Sequence, residues 1–155
     1  MDAENNRYRQ NLLKLKALRD RSRLRTASHF NSTAADAYEH GRYLYNNEQV
    51  EEASELFQKL TLQHPMWEDP WLALGISEFR LRRFDRAYTS LSVCWMLHPH
   101  NPLPLYHLAL VCLQKNRLRE ARGLFQQVLV IASRDPNHFE VEERAAQQLK
   151  RFAHE

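Results

Sequence analysis

Residues 69–99 read DPWLALGISEFRLRRFDRAYTSLSVCWMLHP, two apolar-periodic segments joined by a short basic turn and closed by a proline. In the first segment Trp71, Leu74 and Gly75 fall at i, i+3 and i+4, so they share one helical face. In the second, Ala87 and Leu91 stand one turn apart, a small residue followed by a large apolar one. Pro99 cannot donate a ladder hydrogen bond and ends the unit. The stretch therefore predicts a helix–turn–helix.

The same pattern recurs on both sides at a period of 34 residues. Gly41, Gly75 and Ala109 form one register, and Ala53, Ala87 and Ala121 a second. Phe57, Leu91 and Phe125 form a third, and Pro65, Pro99 and Ser133 a fourth. Small residues on the first helix of each unit admit close approach of the second, whose large residue plugs the space. Asp69-Pro70, Asn101-Pro102 and Asp135-Pro136 read as helix starts, the acid or amide as N-cap and the proline in the first turn. The expected helix pairs are 34–46 with 50–63, 69–81 with 84–97, and 102–115 with 118–131. A final helix over 136–153 has the polar outer face that closes a repeat stack, through Glu140, Glu142, Glu143, Arg144, Gln147, Gln148 and Lys150. Before the repeats, residues 5–22 read as a basic helix and residues 26–33 as a polar linker. The divisions are thus 1–33, an N-terminal arm with linker; 34–133, three repeats; and 134–155, a C-terminal cap.

Trp71, Leu74, Gly75, Ala87 and Pro99 resemble the tetratricopeptide signature, with Ala53, Phe57 and Pro65 before it and Ala121 and Phe125 after. The resemblance implies an all-α fold, three repeats stacked as a short right-handed superhelix. Glu78 and Cys94 depart from the motif, standing where it usually has an aromatic residue and an alanine.

Composition excludes several classes of function. The chain has 155 residues and only three glycines (Gly41, Gly75 and Gly123), too few for a phosphate-cradling loop. No apolar run is long enough to cross a bilayer, and the basic N-terminus lacks the uninterrupted apolar stretch of a secretory signal. Cys94 and Cys112 are the only cysteines and form no CxxC, which fits a reducing, cytoplasmic setting. As helix residues expected to be buried they read as small hydrophobes, and His107 is the one histidine that could serve a catalytic thiol. His98-Pro-His100 offers no third or fourth metal ligand. Adjacent acids such as Glu51-Glu52 and Glu142-Glu143 diverge around a helix, so they make no acid–base pair. The chain reads as a non-enzyme with no cofactor and no metal.

A binding face is the remaining expectation. First helices line the concave side of such stacks, and each carries a second apolar or aromatic face. These faces supply Tyr38, Arg42 and Tyr45, then Leu72, Ile76 and Phe79, then Leu103, Tyr106 and Leu110. Packing against adjacent helices is the alternative use of the same side chains. As a groove they suit an extended peptide with spaced apolar anchors, each worth about 1.5–3 kcal/mol when buried. Ordering the peptide offsets part of that gain, which leaves an expected affinity of about −8 kcal/mol, near micromolar.

Charge is uneven. Residues 1–26 hold eight cations and three acids, a net of +5, leaving −2 for the remainder. Leu12, Leu15 and Leu18 alternate with Lys14, Lys16 and Arg19 as an amphipathic basic helix. That arm suits a homodimer or its own body, or an acidic protein partner; phosphate-bearing partners are disfavoured because no nucleic-acid motif accompanies it. Arg80, Arg82, Arg83 and Arg86 read as a solvated turn.

The layout narrows the resemblance. Tyr45-Asn46-Asn47, Val50-Glu51-Glu52-Ala53, Leu56-Phe57-Gln58-Lys59-Leu60 and Trp71-Leu72-Ala73-Leu74-Gly75 resemble the class II chaperones of bacterial type III secretion. That resemblance implies a chaperone of the bacterial cytoplasm that holds a segment of a secreted hydrophobic translocator in its concave groove, with dimerisation through the arm. The alternatives are a tetratricopeptide scaffold or regulator joining protein partners, and a chaperone of a needle or filament subunit.

Overall fold

A computed structural model describes residues 33–152, all of whose regular elements are helical. The elements are α1 (Ala34–Asn46), α2 (Val50–Gln63), α3 (Glu68–Arg80), α4 (Phe84–Leu97), α5 (Pro102–Gln114) and α6 (Leu118–Ala132). A 3₁₀ turn (Pro136–His138) then leads into α7 (Phe139–Phe152). The expected basic helix 5–22 and linker 26–33 lie outside the described residues, apart from Thr33.

Local chemistry sets the ends. Thr33 caps α1 in a reciprocal box, accepting from the Asp36 amide at 3.2 Å while Asp36 accepts from the Thr33 amide at 3.1 Å. Asn101 caps α5 by accepting from the Leu103 amide at 3.0 Å, and Asp135 accepts from the Asn137 amide at 2.9 Å. Asp69 is a correction. Helix α3 begins one residue earlier, with Trp67 at the cap position and no side-chain cap, and Asp69 instead accepts from the Trp67 indole at 3.2 Å. The final helix is also later than expected, because Pro136 opens a 3₁₀ turn and α7 starts at Phe139.

Each helix pair closes through one identical turn. Glu48, Arg82 and Asn116 adopt φ of 66°, 61° and 57°, and the next residue's amide reaches back over the helix end. Those bonds run from Gln49 to the Leu44 carbonyl (3.0 Å), Arg83 to Glu78 (2.8 Å) and Arg117 to Cys112 (2.8 Å). This left-handed closure satisfies a carbonyl the helix end leaves open.

The first and second helices of a pair meet where the small residues stand. A Cβ added to Gly41 would lie 2.6 Å from the Phe57 ring, and one on Gly75 would lie 2.5 Å from Leu91 Cγ. Ala109 and Phe125 hold the third such contact, both with no exposure. Helices α1, α3, α5 and α7 approach one another in succession along one side, closer than α2, α4 and α6 do on the other, so they form the inner layer of the stack.

The buried apolar residues divide into two clusters. Ala53, Phe57, Leu60 and Leu74 make one, with Tyr38, Trp67 and Trp71 against it. The larger runs from Ala87 and Leu91 through Leu105, Leu108 and Cys112 to Phe125, Val128, Val141 and Ala145. Among the described residues the buried polar side chains are Ser54, Thr61, Ser77, Glu78 and Ser90, of which Ser54 and Glu78 meet between α2 and α3.

Backbone geometry sets the sign of two pairs of substitutions, one pair at glycines and one at the turns. Gly75→Ala gains about 1 kcal/mol of helix propensity but drives a methyl against the root of Leu91, an overpacking cost of about 1–3 kcal/mol; its Tm should fall. Gly123→Ala meets nothing within 4 Å, so thermal melts should place it about 2–4 °C above the parent. At the turns, Arg82→Gly should raise stability by about 0.5–1 kcal/mol, because left-handed geometry costs a side-chain-bearing residue about 1–2 kcal/mol. Asn116→Ala should lower it, and urea titrations of the two variants check both signs.

Candidate peptide-binding groove

The inner layer carries all nine residues expected to line a groove, and packing treats them unequally. On α1, Tyr38 is half-buried, its ring 5.2 Å from Trp67 and 5.7 Å from Phe57. Burial, with Asp69 next in effect, pushes its phenol up to about 12, so it stays a neutral donor. Arg42 is exposed and pairs with Glu39 at 3.2 Å. The Tyr45 ring lies under the Arg80 guanidinium, 5.1 Å from its centroid.

On α3, Leu72, Ile76 and Phe79 are half-buried. Leu72 and Phe79 rest against the larger core, Phe79 with its ring 5.7 Å from Phe84. Ile76 packs against neither core cluster. It is an aliphatic side chain at the middle of the inner layer with part of its surface left open.

On α5, Leu103 and Leu110 are half-buried at the edge of the core. Tyr106 follows the alternative use, packing against a neighbouring helix. It is only 8% exposed, and its ring turns back onto Phe125 of α6 at 5.8 Å. Helix α5 is enclosed by α4, α6 and α7, so residues on nearly all its sides are buried. Beside Tyr106, the His107 ring is pushed down to about 4, first by burial and then by Arg144, which keeps it uncharged.

Sequence reasoning missed Trp67, whose ring packs against that of Tyr38 at 5.2 Å between centroids. Its position two residues after Pro65 was the available signal. The expected solvated arginine turn stays 36–50% exposed at Arg80, Arg83 and Arg86, and these side chains are also paired. Arg80 pairs with Glu48, Arg83 with Glu51 at 2.8 Å, and Arg86 with Glu78 at 3.2 Å, so these three tie the second repeat to the first or to its own α3. Arg82 lies over the Phe84 ring at 5.5 Å.

The remaining chemistry is inert. Cys94 has no exposure and its thiol contacts the Glu68 carbonyl at 3.5 Å; burial raises it to about 12. Burial likewise raises Cys112 to about 11. Both sulfurs are thiols at neutral pH, so neither is an activated nucleophile. His98 Nδ1 lies 3.7 Å from Glu68, and among the described residues no three metal-ligating side chains converge. None of the described helices is long and apolar enough to cross a membrane. The arm residues Leu12, Leu15 and Leu18 lie outside the described residues.

Comparison with known proteins places this geometry. A family model for the tetratricopeptide repeat matches residues 38–91. No curated protein matches the sequence. Among solved structures, the type III secretion translocator chaperone SycD of Yersinia enterocolitica superposes with a TM-score of 0.74 at 24% identity, covering 76% of this chain and 88% of its own. PcrH, of Pseudomonas aeruginosa, in complex with the chaperone-binding region of PopD, gives 0.73 at 24% identity over 75% of this chain and 87% of its own. A type III secretion complex from Aeromonas hydrophila gives 0.74 at 27% identity over 77% and 80%. The chain therefore has an all-α tetratricopeptide-like repeat fold, matched by the family model over residues 38–91 and similar in fold to SycD and PcrH.

Proposed function

We propose that this protein is a type III secretion chaperone that holds a hydrophobic segment of its client in the inner groove and keeps it soluble in the bacterial cytoplasm before export. The observation that carries the reading is Ile76, an aliphatic side chain central to the inner layer that neither core cluster takes up. Leu72 and Phe79 flank it on α3, and Leu103 and Leu110 face the same layer from α5. Together they offer apolar steps spaced along the stack, which suits a chain bound in extended form rather than a compact ligand.

Two solved relatives support the choice of partner. PcrH is known in complex with chaperone-binding regions of PopD and of PopB, and SycD with a peptide of the translocator YopD. A translocator segment is accordingly the client class for this chain. On the inner helices, Arg42 and Arg80 are paired with Glu39 and Glu48 of the protein itself, so apolar contact supplies the groove's main attraction. Binding and release, with no covalent step, fit thiols and an imidazole that burial keeps uncharged.

The test is capture of the tagged full chain from its native host, with the bound proteins identified by mass spectrometry. One secreted, hydrophobic protein should dominate. Ile76→Glu places a charge on the groove floor and should weaken that capture at least about tenfold, about 1.4 kcal/mol, while its helical circular dichroism matches the parent. Equal capture by the folded variant would move binding off the inner face. Recovery of nucleic acid, or of a fixed multi-protein assembly, would leave a scaffold instead of a chaperone.

A further inference from the structure

The junction between the first repeat and the rest of the stack is built unlike the next one. Between α4 and α5 the apolar core is continuous, with Ala87, Leu91, Leu105, Leu108 and Cys112 in one cluster. Between α2 and the second repeat it is not. Helix α3 joins the first cluster only through its N-terminal half, where Leu74 is buried and Trp71 packs beside it. The Trp71 indole also donates to the Pro65 carbonyl at 2.9 Å, fixing this end to the short link that joins the repeats.

Toward its C-terminus α3 meets α2 through polar groups. Glu78 is fully buried and accepts from the Ser54 hydroxyl at 2.7 Å. Arg86 reaches the same carboxylate oxygen at 3.2 Å. The second oxygen is buried with no hydrogen-bond partner among the described residues, and Arg83 stands 3.8 Å from it. Around this centre Arg83 pairs with Glu51, Arg80 pairs with Glu48, and Arg86 donates to Gln58 at 3.3 Å.

One end of the junction is thus apolar and tethered, and the other is ionic and incompletely bonded. We infer that this junction is a hinge: the first repeat (α1 and α2) pivots on Trp71 and Leu74 and is latched to the second repeat by Ser54 on Glu78 and by Arg80, Arg83 and Arg86 on Glu48, Glu51 and Gln58. Separating the latch exposes charges that water solvates well, whereas opening the next junction exposes aliphatic core. A buried carboxylate held by partly exposed arginines adds little net stability, because desolvation cancels much of the attraction. The latch therefore opens ahead of the rest of the fold. Tyr45 and Phe79 border the latch end, so its opening changes the width of the inner face between α1 and α3. This goes beyond the chaperone reading and does not depend on a client being found.

Hydrogen exchange read by mass spectrometry on the full chain tests it. In the unmodified protein, peptides from 34–63 should exchange faster than those from 102–132. Raising sodium chloride from about 0.05 M to about 1 M, where the Debye length falls to about 3 Å, should widen that gap by speeding 34–63 alone. Glu78→Leu, which copies Leu44 at the same register of the first repeat, should slow exchange in 34–63 about tenfold and reduce its salt response to what the exposed Arg80–Glu48 and Arg83–Glu51 pairs supply. Lys115→Gln, which loses the pair with Asp85 at the second junction, should leave the two regions' ratio unchanged. The hinge is overturned if salt and Glu78→Leu shift both regions by equal factors, since the stack would then open as one unit. It is equally overturned if Lys115→Gln separates the regions as salt does.

Discussion

Everything in this fold depends on how closely the two helices of each pair approach. At Gly75 the absence of a Cβ lets Leu91 sit where a methyl would overlap its Cγ, and at Gly41 the Phe57 ring takes the same place. A glycine inside a helix costs about 1 kcal/mol relative to alanine. Full burial of the leucine or phenylalanine it admits returns about 1.5–3 kcal/mol, so the close contact wins. The third pair reaches the same register with Ala109 against Phe125.

That contact fixes the pair, and the pair fixes the layers. Once α1 meets α2 and α3 meets α4 in one geometry, first helices fall on one side of the stack and second helices on the other. A first helix then has neighbours on more than one side, which is why α5 is apolar nearly all round and why Tyr106 is absorbed into the core. An inner helix can leave an apolar side chain open only where the next inner helix does not cover it. On α3 that position is Ile76.

The legibility of the sequence follows the same division. Small residues recurring every 34 positions are visible without a structure because steric exclusion leaves few alternatives at a helix crossing. The helix pairs were readable from that recurrence, and the all-α repeat fold with them. The first two turns were not, because their left-handed residues are Glu48 and Arg82, whereas only the third has the Asn, Asn116, that announces such a turn. The start of α3 was misread because Asp69 has the composition of a cap and the indole of Trp67 claims its carboxylate. On the inner face, periodicity places nine residues on one layer. It cannot separate Tyr106, which turns onto Phe125, from Ile76, which does not pack inward. That distinction depends on contacts between elements, and no single helix encodes it.

The junction chemistry is where a repeat protein can differ from itself without changing shape. At the first junction a large residue on the inner helix, Glu78, faces a small one on the outer helix, Ser54. One period on, those registers hold Cys112 and Tyr88, the large residue now on the outer helix. Each joint thus pairs one larger with one smaller side chain. The chemistry is reversed, however. Tyr88 sends only its hydroxyl outward, to Glu120 at 3.0 Å, with the Arg117 guanidinium 5.3 Å from its ring centroid, while Cys112 stays within the continuous apolar core. Glu78 instead carries its polar end into the interior. Stacks of this kind owe their cooperativity to nearest-neighbour interfaces. The exchange of one large residue between facing helices therefore puts a buried charge at a single joint, so that the two nearest-neighbour interfaces of the second repeat differ in chemistry while the order of the helices is the same.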